Sequence, residues 1–349
     1  MDKKVGIFLT VMVVILSIAL FCVLLFLPDM LRGENMEMIG TTSGGDTETE
    51  DITSIITSSP SDAGTVTEQE PKIISETKPE TIPETKPPKP QADLSIPWHE
   101  QYSIVAHALG CVEGRTETNS REAFLESYAL GQRVFEVDLT LTSDNRLVAR
   151  HDFEQMSYYN LEQTVSNEIV MDYETHMAQK IKYKYTPLDI DGVLLLLSEH
   201  PDTYLITDTK ETGYGSVSLQ FTLLNEAVER IDPSLRERII VQIYNDRMFD
   251  RVKKLFPCKN WIFTLYQIAE SKRNYDKIGD FCIENGIDVV TVNSDSFNMS
   301  ALTTLHEKGL KVYYHTVNRL LTMVEFAAYG ADGFYSDYVT QDDFDAVIG

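Results

Sequence analysis

Hydrophobic positions follow two different patterns along this chain, one near its N-terminus and another from Trp98 onward. Residues 5–27 form a continuous apolar run without a charged side chain. Beyond Trp98, short runs rich in β-branched residues alternate with longer stretches of helical periodicity. Several of the short runs, such as RIIVQIY at 238–244, are predominantly apolar and do not alternate. Such runs are typical of strands that are buried on both faces of a parallel sheet.

The second pattern predicts repeated strand–helix units. Strands are predicted at Ser103–Ala108, Arg133–Thr142, Tyr204–Lys210, Arg238–Tyr244, Trp261–Tyr266, Val289–Asn293, Lys311–Asn318 and Gly333–Asp337. Helices are predicted near Ser120–Leu130, Asp189–His200, Ser216–Arg230, Arg247–Phe256, Ser271–Glu284, Ser300–Lys308 and Leu320–Tyr329. Eight such units in about 250 residues match the size of a TIM barrel. The predicted fold class is therefore α/β, a (β/α)8 TIM barrel, and an open doubly wound sheet is the alternative.

Two segments interrupt the regular order of strands and helices. Leu147–Asp152 is an extra extended run that follows a turn at 143–145, so it predicts a hairpin-like extension of the second strand. Residues 153–185 lack clear periodicity and are rich in Tyr, Glu and Gln. A segment of this length predicts a functional loop or a small subdomain, which in a barrel would lie over the catalytic face.

The apolar run near the N-terminus predicts a membrane anchor. At about 1.5 Å per residue, a helix over residues 5–27 is long enough to cross a bilayer core of about 30 Å. Lys3 and Lys4 precede the run, so the positive-inside rule predicts a cytoplasmic N-terminus. We expect residues 1–33 to form this N-terminus and a transmembrane signal anchor in the cell membrane, single-pass, with the remaining chain extracellular. A cleaved signal peptide is the alternative, although its apolar region is usually shorter.

Amino-acid composition distinguishes a segment between the anchor and the barrel, and net charge argues against one class of binding partner. Residues 34–97 are rich in Thr, Ser, Glu and Pro and poor in apolar side chains, which predicts a disordered stalk before a barrel at 98–349. The formal net charge of −24 argues against nucleic acid as a partner. The 4 cysteines show no CxxC spacing, so neither a zinc site nor a disulfide is predicted. The sequence leaves the oligomeric state open.

Histidines and carboxylates end the predicted strands early in the barrel. His107 and His151 each close a short β-type run, and Glu136 and Asp138 lie two residues apart on one strand, hence on one face. Carboxylate oxygens suit Mg²⁺ or Ca²⁺, and an imidazole can accept or donate a proton near neutral pH. These groups are the parts of a metal-assisted phosphodiesterase, because a dication offsets the charge of a phosphodiester.

The order of these motifs resembles that of the glycerophosphodiester phosphodiesterase family, within the superfamily of phosphatidylinositol-type phospholipases C. The resemblance covers nearly all of residues 103–340. It rests on motifs that follow one another in the family's order: His107, Asn119-Ser120-Arg121-Glu122-Ala123-Phe124, Glu136-Val137-Asp138, Thr142-Ser143-Asp144-Asn145, His151-Asp152, Asp208-Thr209-Lys210, Thr316-Val317-Asn318 and Gly330-Ala331-Asp332-Gly333-Phe334-Tyr335-Ser336-Asp337.

The resemblance implies a phosphoric diester hydrolase with a defined set of residues. Glu136, Asp138 and Asp208 are the implied ligands of a divalent cation, Mg²⁺ or Ca²⁺. His107 and His151 are the implied acid/base pair, and the sequence does not say which of them is the base. Lys210 shares a predicted strand face with Asp208 and is expected to contact the phosphoryl oxygens. The implied reaction is attack by a neighbouring glycerol hydroxyl through a cyclic phosphate.

Three positions depart from the family pattern. Ala108 stands where most members have an Arg that clamps the phosphate with two hydrogen bonds. Arg115 and Arg150 are the candidates to replace that cation, although Arg150 is expected to face away from His151. Thr118 stands where the family commonly has Glu, and Asp208 where Glu is more usual. These departures bear on substrate specificity more than on phosphodiester chemistry.

Further residues near strand ends are candidates for binding a small-molecule or lipid phosphodiester, and they are Gln242, Tyr244, Tyr266, Asn293 and His315. The expected substrates are glycerophosphodiesters, lysophospholipids or polymers with a glycerol-phosphate backbone. One alternative is a lyase like sphingomyelinase D or phospholipase C. Another is a catalytically weak surface receptor for a phosphodiester, which the loss of Arg at Ala108 favours.

Overall fold

The computed structural model describes residues 90–163 and 170–348. Its strands are β1 (Ile104–Ala106), β2 (Val134–Leu141), β3 (Leu147–Ala149), β4 (Tyr204–Asp208), β5 (Ile239–Ile243), β6 (Asn260–Thr264), β7 (Val289–Asn293), β8 (Lys311–His315) and β9 (Gly333–Ser336). Its helices are α1 (Trp98–Gln101), α2 (Arg121–Ala129), α3 (Gln155–Asn160), α4 (Tyr173–Ala178), α5 (Ile190–Glu199), α6 (Tyr214–Ile231), α7 (Asp246–Leu255), α8 (Tyr275–Asn285), α9 (Met299–Glu307), α10 (Leu320–Ala328) and α11 (Gln341–Ile348).

The strands close into a barrel. Parallel pairings run in the order β1-β9-β8-β7-β6-β5-β4-β2, and a further pairing of β1 with β2 closes the ring. Strand β3 pairs antiparallel with β2 outside this ring, with Leu139 opposite Ala149. The predicted (β/α)8 TIM barrel and the predicted hairpin extension are both confirmed, and the doubly wound alternative is wrong.

Alternation along the strands determines which side chains reach the barrel interior. An inner core contains Val105, Val134, Ile206, Ile262 and Tyr313, while a separate outer core fills the space between the strands and the helices. Trp98 of α1 packs against Tyr313 at the end of the barrel where the strands begin. Because successive strand residues point to opposite faces, the inward positions two residues further on lie at the C-terminal strand ends.

Polar residues mark the beginnings of many helices. The side chains of Ser120, Asp189, Asn245, Asn274 and Asn298 each accept a hydrogen bond from a backbone N–H group in the first turn of the helix that follows. Such caps satisfy donors that have no partner within the helix. The helices therefore begin close to the predicted positions.

The segment 153–185 contains α3 and α4, which the sequence pattern did not predict, because six-residue helices are too short to show a period. Arg150 is buried beneath it, with its guanidinium stacked on the rings of Phe153 and Tyr158. The backbone N–H of Lys182 donates to the carbonyl of Leu161, 2.7 Å away, and ties the end of α3 to the chain that follows α4. Helix α11 is a further element that was not predicted.

The predicted anchor at 1–33 and most of the predicted stalk lie outside the described residues. Within residues 90–163 and 170–348, no helix is both long and apolar enough to span a bilayer. The described chain contacts the barrel from Ala92, whose N–H donates to the carbonyl of Pro201 at 2.9 Å. The thiols of Cys111, Cys258 and Cys282 are free.

Candidate active site

Three carboxylates converge inside the barrel, where the middle of β2 meets the C-terminal end of β4. One ligand oxygen from each of Glu136, Asp138 and Asp208 lies within 4.8 Å of the other two, and all three residues are buried. Strand register explains this convergence, because Asp138 lies directly opposite Asp208 and Glu136 is the previous inward residue on β2. The structure therefore brings together all three predicted metal ligands.

Backbone and amide donors hold two of these carboxylates in place. The N–H of Ala108 donates to Glu136 Oε2 at 2.7 Å. Asn119 Nδ2 donates to Asp138 Oδ2 at 2.8 Å, and the Asp138 N–H donates back to Asn119 Oδ1 at 3.0 Å. Ala108 and Asn119 both have positive φ, at 49° and 48°, which turns the chain after β1 back toward the carboxylates.

The ammonium of Lys210 lies between two of the carboxylates. Its Nζ atom is 2.6 Å from Asp138 Oδ1 and 2.9 Å from Asp208 Oδ2. The predicted strand Tyr204–Lys210 ends at Asp208, so Lys210 does not share a strand face with that residue. It follows the strand with a φ of 56°, and this turn carries its side chain back over the strand end.

Burial and mutual repulsion separate the pKa values of the carboxylates. Burial and the charge of Asp138 raise the pKa of Glu136 to about 8. Burial also opposes ionisation of Asp138, but the charges of Lys210 and His107 lower its pKa below the ordinary value. Burial disfavours the charged Lys210, yet the charges of Asp138 and Asp208 raise its pKa above the ordinary value.

The residues present fit a divalent cation. Glu136 Oε1 is buried and makes no hydrogen bond to any described residue, and the nearest positive group to Asp138 Oδ1 is the Lys210 ammonium. Three converging carboxylates at buried strand ends are the oxygen donors that Mg²⁺ and Ca²⁺ prefer. Burying them near a single lysine is costly without further positive charge. The acidic cluster can therefore bind a metal ion.

His107 is held by a carboxylate that the sequence analysis did not assign to the site. Its Nδ1 lies 2.8 Å from Asp337 Oδ1, and Asp337 Oδ2 accepts from Asn318 Nδ2 at 2.6 Å. The Asp337 N–H in turn donates to Asn318 Oδ1 at 2.8 Å. Although burial disfavours the imidazolium, Asp337 and the charges of Glu136 and Asp138 raise the pKa of His107 to about 10.

His151 occupies a more open position at the end of the hairpin extension. Its Nδ1 is paired with a carboxylate oxygen of Asp152, and half of its side chain is exposed. It borders a pocket of about 520 Å³ that is also lined by Arg115, Met156 and Lys182. The two predicted catalytic histidines thus differ, since the side chain of His107 is 19% exposed and that of His151 is half exposed at an open pocket.

The predicted substrate-binding residues divide into two groups. The hydroxyl of Tyr244 bonds Asp208, and Gln242 Oε1 accepts from Tyr335, so both are already engaged inside the barrel. Tyr266, Asn293 and His315 lie at or just beyond the ends of β6, β7 and β8. The Tyr266 and His315 ring centroids are 5.6 Å apart, at 77° to each other.

Of the two arginines considered as replacements for the missing family Arg, only one is suitably placed. Arg150 donates to Gln163 Oε1 at 2.7 Å and to the carbonyl of Asp152, and it is buried beneath the segment 153–185. Arg115 is exposed and borders the pocket beside His151. The prediction that Arg150 faces away from His151 agrees with these contacts.

Comparison with known proteins gives a family and a set of similar folds. Residues 112–341 match the model of the glycerophosphoryl diester phosphodiesterase family. A glycerophosphodiester phosphodiesterase from Parabacteroides distasonis is 16% identical, with a TM-score of 0.55, over 70% of this chain and 95% of that chain. A phosphodiesterase from Oleispira antarctica, solved in complex with the product sn-glycerol-3-phosphate, is 14% identical, with a TM-score of 0.56, over 72% of this chain and 99% of that chain.

These identities are low, so the solved structures establish the likeness of fold alone. A search of curated proteins finds no match. The family model covers well over half of the chain and includes Asn119, Glu136, Asp138, His151 and Asp208, although His107 precedes its first matched residue.

Proposed function

The chain belongs to the glycerophosphoryl diester phosphodiesterase family, as its motifs predict, and from this premise we propose that it is a metal-dependent phosphodiester hydrolase. Its proposed substrates are glycerophosphodiesters or related lipid or wall glycerol-phosphate compounds. The observation that carries the proposal is the buried cluster of Glu136, Asp138 and Asp208 next to His107, with His151 at a neighbouring pocket. Phosphodiester hydrolysis is the function that such a site fits best.

Glu136, Asp138 and Asp208 would hold Mg²⁺ or Ca²⁺. The cation would offset the charge of the phosphodiester and polarise its phosphorus–oxygen bonds. Lys210 leaves the carboxylates on which it now lies and turns its ammonium toward a phosphoryl oxygen. The hydrogen bond with Asp337 and the charges of Glu136 and Asp138 raise the pKa of His107, so a cation that offset those two charges would favour its neutral form.

We assign the acid and base roles from the surroundings of the two histidines. His107 is mostly buried and oriented by Asp337, so it accepts the proton of the attacking glycerol hydroxyl. His151 borders the pocket of about 520 Å³, which offers room for a departing alcohol. It donates the proton that the leaving alkoxide needs. Water then opens the cyclic phosphate by the same two groups in reversed roles.

A panel of phosphodiesters assayed with and without a chelator tests the chemistry, the cation and the substrate class together. We expect turnover that chelation abolishes, that Mg²⁺ or Ca²⁺ restores, and that His107→Ala and Glu136→Gln each reduce by at least about 100-fold. A stable cyclic phosphate as the final product would indicate a lyase. Binding without turnover, unaffected by either substitution, would indicate the receptor.

We also propose that the catalytic barrel stands outside the cell on a single-pass anchor and a stalk. The apolar run 5–27 and the Thr/Ser/Glu/Pro-rich residues 34–97 support this arrangement. Protease treatment of intact cells tests it, because an extracellular barrel would be released while a tag placed before Lys3 stays protected. Protection of both ends would contradict the proposal.

A further inference from the structure

The inner face of β6, β7 and β8 carries polar atoms that no described residue satisfies. His315 Nε2, Thr291 Oγ1 and Thr264 Oγ1 are buried and lack a hydrogen-bond partner among the described groups. Thr264 lies directly opposite Thr291, and Asn293 lies directly opposite His315, so these residues form neighbouring positions on three adjacent strands. Buried polar groups usually have partners, because leaving them without one costs free energy. This side of the barrel therefore has unused hydrogen-bonding capacity.

His315 lies close enough to the reacting groups for the charges of Asp208, His107 and Lys210 to act on it. It is the last residue of β8, and it points inward because it follows the inward Tyr313 by two positions. Its ring packs edge-on against Tyr266, whose hydroxyl lies 3.4 Å from Asp208 Oδ1. One aromatic ring thus separates His315 from a proposed metal ligand.

Around the ring of strands, His315 lies nearer to His107 than to His151. Only β9 separates β8 from β1, which precedes His107, and the charge of His107 acts on His315. His151 follows β3, which lies outside the ring beyond β2. A diester bound at the carboxylates would then place one arm toward His107 and His315 and the other toward the pocket beside His151.

We propose that His315 is a specificity-determining residue that hydrogen-bonds a free hydroxyl group on the polyol arm of the substrate. This inference rests on the proposed function. An imidazole carries one donor and one acceptor, as a hydroxyl group does, so the two are complementary partners. The phosphoryl group would have Lys210 and a cation held by the carboxylates as partners, whereas His315 Nε2 has no hydrogen-bond partner among the described residues. Arg273, whose charge also acts on His315, already donates to the carbonyls of Ile268 and Leu265. The edge-on Tyr266 ring supports the imidazole and provides an apolar contact for the carbon chain.

Two chromogenic diesters with the same leaving group test the assignment. Glyceryl 4-nitrophenyl phosphate carries a terminal hydroxyl, and 2-hydroxypropyl 4-nitrophenyl phosphate lacks it but keeps the hydroxyl that attacks phosphorus. The full-length chain should prefer the glyceryl compound in kcat/KM by at least about tenfold, since a site built to bond a hydroxyl rejects the analogue without it. His315→Phe should lower kcat/KM for the glyceryl compound by at least about tenfold more than for the hydroxypropyl compound, and so remove the preference.

His315→Gln should restore part of the preference, because its amide can replace one hydrogen bond. His99→Phe is the matched control, since His99 is a mostly buried histidine packed against Trp98 at the opposite end of the barrel. If His315→Phe fails to fold, as a thermal melt would reveal, the comparison of wild type with His315→Gln decides. An unchanged preference, or an equal fall for both compounds, overturns the assignment. Failure of the wild-type chain to cleave either compound with Mg²⁺ or Ca²⁺ overturns the proposed function instead.

Discussion

Nδ1 of His107 lies 2.8 Å from Oδ1 of Asp337, and these residues come from opposite ends of the barrel sequence. Strands β1 and β9 are neighbours, with Ala106 directly opposite Ser336, so the residue that follows each strand meets its counterpart. Asn318 fixes the other oxygen of Asp337 at 2.6 Å. Asp337 and Asn318 therefore orient His107. Among the described contacts, neither of them touches the carboxylate cluster or the pocket beside His151.

Asp337→Asn should slow turnover by about 100-fold, because the amide cannot stabilise the imidazolium that forms when His107 accepts a proton. Loss of this carboxylate also lowers the pKa of His107, so the acidic limb of the kcat profile should move to lower pH. Steady-state kinetics from pH 5 to 9 with saturating cation would measure both effects.

Asp332→Asn provides a matched control for that experiment. Asp332 pairs with His306 at 2.7 Å and lies just before β9, at the other end of the strand. We expect it to lower stability without moving the pH profile. Equal profiles for Asp337→Asn and wild type would show that Asp337 has only a structural role.

Sequence patterns could predict the fold and the acidic cluster because both depend on local rules. Alternation puts Glu136 and Asp138 on one face, and the meeting of parallel strand ends brings Asp208 to them. The contact between His107 and Asp337 depends on closure of the barrel, which no local pattern encodes. Asp337 and Asn318 both lay within motifs of the family, and that shared membership was the signal from which a role could have been inferred.

The direction of the Lys210 side chain could not be predicted from the sequence, for a different reason. The sequence predicts that the strand continues to this residue, where alternation would place Lys210 on the same face as Asp208. A left-handed residue ends the regular strand geometry and redirects the side chain. Positive φ at a lysine has no signature in the sequence, since only Gly and Asn favour it strongly.

Lys210→Met should raise the affinity for Mg²⁺ or Ca²⁺ by about tenfold, because it removes the ammonium that lies on Asp138 and Asp208. It should also reduce kcat, since the contact with the phosphoryl oxygen is lost. Calorimetric titration with each cation measures the first effect, and a chromogenic diester measures the second.

Lys308→Met is a suitable comparison for Lys210→Met. The Lys308 side chain is 23% exposed, against 25% for Lys210, and it also pairs with a carboxylate, that of Asp280. Cation affinity should not change in this variant. A lower affinity in Lys210→Met would mean that the ammonium helps to assemble the carboxylates and does not compete with the cation.

Cation binding should release protons near neutral pH. Burial and the charge of Asp138 raise the pKa of Glu136 to about 8, so this carboxyl is largely protonated at pH 7 and must ionise to bind a metal. Calorimetry at pH 7 in two buffers of different ionisation enthalpy should detect at least about one proton released, from Glu136 and in part from His107 as the cation offsets the charges that raise its pKa. Glu136→Gln should lower the release by about one proton, and an unchanged release in that variant would assign the proton to another group.

Acid should destabilise the protein through His176, a fully buried residue of α4 that packs against the Phe153 ring. Burial and the charge of Arg150 lower its pKa from 6.5 to about 4. The unfolded chain therefore takes up a proton near pH 6.5 that the folded chain refuses, so the contribution is complete above pH 6.5 and is lost as pH falls toward 4. The loss should amount to a few kcal/mol in the free energy of unfolding at pH 4.

His176→Phe should flatten this part of the stability profile in urea unfolding between pH 4 and 8, whereas His306→Phe, at a partly exposed position, should leave it in place. A His176→Phe profile as steep as that of wild type would mean that the acid sensitivity arises elsewhere in the chain.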